Sequence, residues 1–253
     1  MSRVQIISSG SKGNAYIFTF QDGVRILLDC GVAPIELQNY KLAGVKACLL
    51  THSHQDHCKG LPYVLKLGID TYMSPDTYKE IGIKSHRIKI CEPNIIFPLG
   101  DKKRVKPLKA CHHPLKTPLM FYIDDAGERI LYATDTTVIP YRLKLHIAIL
   151  ECNYVESIFL NKPGLNPARE MRTLAHNSLE SLLIFFQNNK DNITDLEELH
   201  LVHLSSENSD EGIIEKEIRK VIPVKTKLYI MGEPKNNNNP DTIMSKALPL
   251  FGG

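Results

Sequence analysis

The stretch that decides the fold is Lys46–Gly60, KACLLTHSHQDHCKG. An apolar run opens it and a polar cluster follows at once, a pattern typical of a buried strand that ends at a sheet edge. His52, His54, Asp56 and His57 then lie within six residues. Open α/β sheets carry their ligand sites at such strand ends, and imidazole and carboxylate are good ligands for zinc-type divalent ions. The stretch therefore predicts a metal site.

The spacing indicates positions for two ions. His52 and His54 are two residues apart, so extended backbone points both side chains to the same side. Asp56 and His57 follow after the chain turns, and they can serve a second ion. A lone histidine is more often an ordinary core or surface residue, but four ligand-type side chains after one apolar strand favour a metal site.

The rest of the chain predicts an α/β fold in one domain, residues 1–253. Short β-rich runs alternate with turn signals, and helices interleave with strands in both halves, as in layered α/β proteins. No stretch rich in glycine, serine or proline divides the chain, and the tract Asn236–Asn239 is expected in a surface loop. Asn177 is expected to cap the apolar helix SLESLLIFFQ. The main strands are expected at Val4–Ser9, Ala15–Phe20, Arg25–Asp29, Lys46–Thr51, Val105–Ala110, Leu119–Asp124, Arg129–Thr134, Ile147–Leu150 and Lys227–Met231.

Composition limits the class of protein. Hydrophobic residues make up 43% and charged residues 23% of the chain, with a net charge of +3, which excludes a disordered tail, a collagen and a coiled coil. The charge permits an anionic substrate without requiring one. No run reaches the 18 apolar residues of a membrane span, and the start shows no signal peptide. Six cysteines without a CxxC pair indicate reduced thiols, so we expect a cytoplasmic protein with no membrane partner.

The HxHxDH spacing resembles that of the metallo-β-lactamase superfamily. The resemblance implies a four-layer αββα sandwich with a two-metal site at one edge. It also implies three further ligands, each at or near the end of a later strand. His113 in CHHP, Asp135 in LYATDT and His203 in LHLVHLSSEN stand at those places. His112 competes with His113, because adjacent residues of a strand point to opposite faces.

Five more segments resemble the WalJ/YycJ-like branch of that superfamily: SGSKGNAYI, RILLDCG, ECN, AHNSLES and HLSSEN. Members of this branch are regarded as metal-dependent nucleases with 5′-to-3′ exonuclease activity on DNA, and the branch lies close to ribonuclease Z. The chain departs from the branch at its third ligand motif, where HHP replaces the usual HDA. Counting back from Pro118 selects His113 there. The usual GHLSN is AHNSL here, and Thr136 follows the aspartate where glycine is common.

The resemblance also implies roles for the site residues. His52, His54 and His113 hold one ion, Asp56, His57 and His203 hold the other, and Asp135 bridges them. Two zinc or manganese ions about 3.5–4 Å apart can hold a hydroxide for in-line attack on a phosphodiester. Asp56 helps to orient this nucleophile.

The leaving alkoxide needs a proton or a positive charge. His176 and His203 are the candidates by their place in the family pattern. A helix-entry residue bonded to the backbone near Asn177 accounts for His176 equally well.

Two further features admit both a functional and an ordinary interpretation. The basic stretches Lys84–Lys89 and Lys102–Lys109 alternate lysine with apolar residues. Such a face can track a phosphate backbone, or it can protect an edge strand from aggregation. The loop Ser9–Asn14, SGSKGN, can present backbone N–H groups to a phosphate, or it is a plain tight turn.

The predicted function is that of a metal-dependent hydrolase, a dinuclear phosphodiesterase acting on nucleic acid, in its leading form a 5′-to-3′ DNA exonuclease. The nearest alternative hydrolyses small nucleotides, including cyclic ones, in a closed pocket that a homodimer completes. The near-neutral charge favours this alternative slightly. A metal-stabilised binding protein without turnover is the remote alternative, since a purely structural site needs no open bridging position.

Overall fold

Two β-sheets with helices outside them make up the part of the chain that the computed structural model describes, residues 2–164 and 166–231. The strands are β1 (Arg3–Ser8), β2 (Ala15–Thr19), β3 (Arg25–Leu28), β4 (Val45–Leu49), β5 (Asp70–Met73), β6 (Ile88–Ile90), β7 (Phe97–Pro98), β8 (Lys103–Lys109), β9 (Leu119–Asp125), β10 (Glu128–Ala133), β11 (Ile147–Glu151), β12 (Glu198–Val202) and β13 (Lys227–Ile230). The helices are α1 (Pro34–Gln38), α2 (Gln55–Cys58), α3 (Leu61–Lys66), α4 (Pro75–Ile81), α5 (Glu156–Leu160), α6 (Pro167–Leu174), α7 (Leu179–Asn188) and α8 (Glu211–Ile218).

Each sheet is parallel on one side and antiparallel on the other. The first sheet runs β1-β2-β3-β4-β5-β6 and the second runs β13-β12-β11-β10-β9-β8-β7. Strands β3 to β6 are parallel in the first sheet, and β10 to β13 are parallel in the second. Parallel neighbours need a crossover connection, which places their carboxyl ends, and the loops that follow them, at a common edge.

Three apolar clusters bind four layers together. The inner cluster lies between the sheets and includes Phe18 and Leu49 from the first sheet and Phe121 from the second. The outer faces of the first and second sheets are covered by helices in two further clusters. Strands buried on both faces read as continuous apolar runs, which is why RILL and IAIL stand out in the sequence. The predicted αββα sandwich is confirmed.

The carboxyl ends of six strands, β3, β4, β8, β10, β11 and β12, carry the polar residues of interest. Asp29, Asp135 and His203 lie at or just after strand ends with φ values of 55°, 51° and 57°. Non-glycine residues in this left-handed region carry strain of about 1–3 kcal/mol each, and such strain clusters at functional sites. This edge is therefore the place to search for function.

Some local predictions differ from the structure. The N-cap of α7 is Ser178, whose hydroxyl accepts the Ser181 N–H, and not Asn177. Helix α6 was not expected from the sequence. The tract Asn236–Asn239 lies outside the described residues. Across residues 2–164 and 166–231, no helix is both long and apolar enough to pass through a membrane.

Candidate metal centre

Asp135 lies at the centre of a buried cluster of histidines. Its Oδ2 faces His52 Nε2 at 3.7 Å and His112 Nε2 at 3.6 Å. Its Oδ1 faces His57 Nε2 and His203 Nδ1, both at 3.2 Å. The carboxylate thus presents each oxygen to a different pair of imidazoles, which is the arrangement that a bridging ligand needs.

The first group of ligand-type atoms comes from His52, His54 and His112. His54 Nδ1 lies 3.1 Å from His52 Nε2 and 3.3 Å from His112 Nε2. Burial, followed by the neighbouring His57, holds the pKa of His52 well below its usual value, and burial with His112 lowers that of His54. Neutral imidazoles therefore turn their nitrogens toward one point. Nitrogens bound to one zinc ion at 2.0–2.1 Å in tetrahedral geometry lie about 3.3 Å apart, so this group fits a divalent ion.

The second group consists of Asp56 and His57 with Asp135. His57 Nε2 lies 3.6 Å from Asp56 Oδ2. The loop that carries them packs tightly on the chain after β3, because a Cβ added to Gly31 would lie 1.6 Å from the Asp56 carbonyl oxygen. The Asn14 N–H also donates to that oxygen at 2.6 Å. These backbone contacts fix the position of the second group. The SGSKGN turn takes part in them through its last residue, Asn14.

Asp29 orients His57, a role that the sequence analysis missed. The fully buried carboxylate lies 2.8 Å from His57 Nδ1 and accepts the Thr51 N–H at 2.7 Å and the Tyr132 hydroxyl at 2.6 Å. Because Nδ1 is bonded to Asp29, the other ring nitrogen, Nε2, points to the cluster, as is usual for metal-binding histidines. Burial lowers the pKa of His57, but Asp135 and Asp29 outweigh it and hold the pKa well above its usual value. A bound cation would displace that proton.

Glu151 holds His176 and His203 and was also missed as a site residue. Its Oε1 lies 2.7 Å from His176 Nδ1 and 2.6 Å from His203 Nδ1, while Oε2 accepts the backbone N–H of Thr136 and Asn177. Burial opposes ionisation, yet the imidazole of His176 contributes most to lowering the pKa of Glu151 to about 2.

The contact with Glu151 also shifts the pKa of His176. Burial lowers its pKa, but Glu151 and then Asp135 outweigh burial and raise the pKa to about 9. The side chain therefore bonds to the Glu151 carboxylate. The alternative interpretation, in which it bonds to the backbone near Asn177, does not describe the side chain. One signal could have found both Glu151 and Asp29: each is an acid at the end of an otherwise apolar strand.

The structure turns His112, and not the predicted ligand His113, toward the cluster. His112 is 5% exposed, its Nδ1 contacts the Ala175 carbonyl oxygen at 2.9 Å, and its Nε2 faces the cluster. His113 is exposed and lies in none of the three groups of ligand-type atoms. Both residues line the cavity, but of the two His112 alone contributes a nitrogen to a group of ligand-type atoms.

The other predicted ligands come together as follows. His52, His54, Asp56, His57 and Asp135 all belong to groups whose ligand atoms lie within 4.8 Å of one another. His203 lies beside Asp135 but is grouped with Glu151 and His176, not with Asp56 and His57. Its position is secured by its backbone N–H, which donates to the Ser9 hydroxyl at 2.8 Å.

The donor set fits divalent metal. Asp135 Oδ1 is buried and has no hydrogen-bond partner among the residues that the structure describes. A buried carboxylate oxygen without a hydrogen bond is costly, and a cation between it and the imidazoles of His57 and His203, each 3.2 Å away, would remove that cost.

An open cavity of about 920 Å³ leads to the cluster. The ligand-type residues His54, Asp56 and His112 lie on its floor, and α6 and the loop 204–208 form its walls. The volume lies near the upper end of the range for small-molecule sites, about 300–1,000 Å³. A ligand of small-molecule size can therefore reach the cluster.

The basic stretches lie away from this cavity, since none of their residues lines it. Lys103 is 3% exposed, and its ammonium pairs with Asp22 and, at 3.3 Å, with Asp125. This lysine is therefore a buried, paired residue of the protein and is not exposed to bind a phosphate backbone. In the SGSKGN loop, the N–H groups of Gly10, Gly13 and Asn14 donate within the protein, as in a structured turn.

A two-sheet αββα sandwich with a histidine and carboxylate centre at one edge defines a metallo-hydrolase type of protein. Residues 9–191 match the model of the metallo-beta-lactamase superfamily, and the chain belongs to that superfamily. Membership implies a divalent metal, which the three groups of ligand-type atoms are suited to bind.

Similar proteins agree with this assignment. The chain is 23% identical over 239 residues to the exodeoxyribonuclease YycJ of Bacillus anthracis, an alignment that covers 87% of this chain and 89% of that protein. The metallo-beta-lactamase fold protein YhfI from Bacillus subtilis superposes with a TM-score of 0.69 at 19% identity over 92% of this chain and 97% of that one. The short form of human tRNase Z gives a TM-score of 0.57 at 16% identity over 81% of this chain and 93% of that one. These two structures show the shared fold.

Proposed function

We propose that this protein is a metal-dependent phosphodiesterase that cleaves nucleic acid, with 5′-to-3′ exonuclease action on DNA as its leading form. One observation carries the proposal: a histidine held by a buried carboxylate stands between the metal-binding cluster and the open cavity. His176 lies 2.7 Å from Glu151, and its side chain is 19% exposed toward the cavity that it lines. Cleavage of a phosphodiester expels an alkoxide that needs a proton, and His176 is placed to give one.

His176 is a better proton donor than His203, the other candidate from the sequence. His203 is only 3% exposed, and its Nδ1 is engaged by Glu151 and Asp135. His176 shares Glu151 but faces the space that a leaving group would occupy. Glu151 therefore orients both rings, and His176 is the more exposed of the two in the cavity that both line.

His52, His54 and His112 would hold one ion, Asp56 and His57 would hold the other, and Asp135 would lie between them. Zinc and manganese are the proposed metals. Such ions supply Lewis acidity toward a phosphate oxygen and toward water. Asp56, whose side chain is 27% exposed on the cavity floor, is placed to accept a proton from the attacking water. Asp29 keeps the His57 ring in the orientation that metal binding requires.

The substrate class draws support from two sources. The relative from Bacillus anthracis carries the name exodeoxyribonuclease, and the alignment spans most of both chains. The cavity is open and large, which suits a strand entering from solvent better than the closed pocket of a cyclic-nucleotide enzyme. A homodimer and a cytoplasmic location stay predictions from the sequence.

A product analysis tests the proposal. The protein, loaded with Mn²⁺ or Zn²⁺, is incubated with an end-labelled linear duplex and a panel of cyclic mononucleotides, and Asp135→Ala serves as the blank. We expect stepwise release of mononucleotides from the 5′ ends. An intact duplex with opened cyclic nucleotides would support the small-nucleotide alternative instead. No turnover of either substrate by protein that holds its ions would favour a binding protein.

The role of His176 has a separate test. His176→Ala should lower kcat on DNA by about 10²–10⁴-fold, the usual contribution of a general acid. The loss should be much smaller on bis(p-nitrophenyl) phosphate, because nitrophenolate leaves without a proton. His86→Ala is the matched control, since His86 is exposed and outside the cavity. Equal losses on the two substrates would contradict a proton-donor role.

A further inference from the structure

We infer that Arg172 binds a second phosphate of the substrate, the one carried by the leaving nucleoside, so that the protein selects oligonucleotides over single-phosphate diesters. This inference rests on the proposed function and adds a specificity-determining residue to it. It is argued from the position of α6, from the pairing of its two arginines and from the side chains around them.

Helix α6 places Arg172 beside the leaving-group side of the site. Arg172 lines the cavity together with His176. It lies in the last turn of α6 (Pro167–Leu174), and His176 follows two residues after the helix ends. Because His176 marks the position of the leaving oxygen, a group bound at Arg172 belongs to the leaving fragment and not to the attacked end.

The two cavity-lining arginines of α6 differ in their partners. Arg169 is held by Glu207 at 2.6 Å, and Lys162 approaches the same carboxylate at 3.6 Å. Arg172 uses only its Nε, which donates to the Ala168 carbonyl at 3.3 Å. Within residues 2–164 and 166–231, no carboxylate lies within ion-pair distance of Arg172. Its terminal N–H groups are therefore available, and a planar guanidinium is suited to bidentate binding of phosphate.

The surroundings of Arg172 suit the rest of a nucleotide. Met171 and Leu174 also line the cavity and are 67% and 48% exposed although they are apolar. Across the cavity, the Oδ1 of Asn208 is buried with no hydrogen-bond partner in the described part of the chain, and the residue is 8% exposed. The cavity is thus lined by an apolar surface for a base or sugar, a guanidinium with available N–H groups for a phosphate, and an amide oxygen that can accept from a base or sugar donor.

The charge balance agrees with an anionic occupant. Lys162, Arg169 and Arg172 bring three positive charges, and Glu207 and Glu170 bring two negative ones, so one net positive charge remains. A cyclic mononucleotide carries a single phosphate, which the metal centre would take, and it would leave Arg172 without a partner. An oligonucleotide provides a phosphate at each position.

Three short substrates test the inference: TpT, pTpT and TpTp. Each has one diester with the same kind of leaving group, and the last two carry one extra phosphate at opposite ends. We expect the wild-type kcat/KM to be at least tenfold higher when the extra phosphate is on the nucleoside that leaves, as identified from the products. Arg172→Gln should reduce this advantage to less than threefold. Arg142→Gln is the matched control, because Arg142 is exposed and outside the cavity, and it should keep the advantage.

A binding measurement gives an independent readout that needs no turnover. The affinity of the metal-stripped protein for fluorescein-labelled pT₅ is measured against salt concentration. Loss of one phosphate contact should reduce the slope of log K against log salt by about 0.7 in Arg172→Gln but not in Arg142→Gln. An unchanged slope together with an undiminished advantage would overturn the inference while the proposed function stands. If no dinucleotide is cleaved by the wild type, the proposed function fails, and the slope alone decides whether Arg172 contacts phosphate.

Discussion

Asp29→Asn is the sharpest test of how the fold supports the candidate metal centre. The Asp29 carboxylate is fully buried and faces donors on both oxygens: Oδ1 accepts the Thr51 N–H, and Oδ2 accepts the Tyr132 hydroxyl and contacts His57 Nδ1. An asparagine keeps one acceptor oxygen and sets an NH₂ group against the donors on the other side. Either orientation of the amide therefore opposes at least one donor.

The size of the effect follows from these contacts. Hydrogen bonds to a charged group contribute about 1.5–3 kcal/mol each, and one or two of them are lost. The free energy of unfolding should therefore fall by about 2–5 kcal/mol. The affinity for metal should fall about 10–100-fold, because an outer carboxylate that orients a ligating histidine has an effect of this size.

Two measurements check the prediction. Urea unfolding of the metal-free protein gives the loss of stability, and competition with a chelator gives the change in metal affinity. Asp70→Asn is the control, because Asp70 is partly exposed and pairs with Arg87 at 3.1 Å, so its loss should cost less than about 1 kcal/mol and leave metal binding unchanged. If Asp29→Asn binds metal as tightly as the wild type while losing stability, Asp29 supports only the core, and the argument for an oriented His57 is refuted.

Three further predictions concern particular side chains. His112→Ala should lower the metal content of the purified protein, measured by mass spectrometry, and His113→Ala should leave it unchanged; the reverse would contradict the inward direction of His112. Lys103→Met should lower the free energy of unfolding by about 1–3 kcal/mol, because it leaves the largely covered Asp125 carboxylate without its partner. Lys102→Met at an exposed position should change the free energy of unfolding by less than about 0.5 kcal/mol, and equal effects of the two substitutions on urea unfolding would refute a stabilising Lys103 pair. Burial is the main cause that lowers the pKa of His200, so the folded protein keeps this ring neutral while the unfolded chain takes up a proton near pH 6.5. The contribution of His200 to the free energy of unfolding is thus fully present above pH 6.5. It is lost as the pH falls, by up to about 1.4 kcal/mol per pH unit. The stability difference between wild type and His200→Gln should shrink from pH 7.5 to 5.5, and a constant difference would show that the ring is not held neutral.

The sequence was sufficient for the fold and for the first half of the site. Strands that are covered on both faces must be apolar throughout, so β3, β4 and β11 were visible as short apolar runs. His52, His54, Asp56 and His57 follow one of these runs within a single loop. Their relation to one another depends on the local backbone, which sequence spacing describes well.

Function beyond the loop was harder to predict because pairing between distant residues decides it. Lys103 alternates with apolar residues as in a basic face, but carboxylates from the β2–β3 turn and from β9 pair with it. Arg169 and Arg172 are alike in sequence, and only the position of Glu207 separates a paired arginine from an available one. Helix α6 is short and mostly polar, yet it lines the cavity.

The sequence by itself determined a layered α/β class and a metal site after one strand, since these follow from hydrophobic pattern and short-range spacing, and its resemblance to a known superfamily implied the αββα sandwich and the later ligands. Only the tertiary structure decided that His112 and not His113 turns inward, that Asp29 and Glu151 hold the histidines, and that His176 faces the cavity. The physical reason is distance along the chain. Glu151 contacts His203 across 52 residues, and Asp29 contacts His57 across 28, and such contacts exist only after the order of the strands has brought their carboxyl ends to one edge.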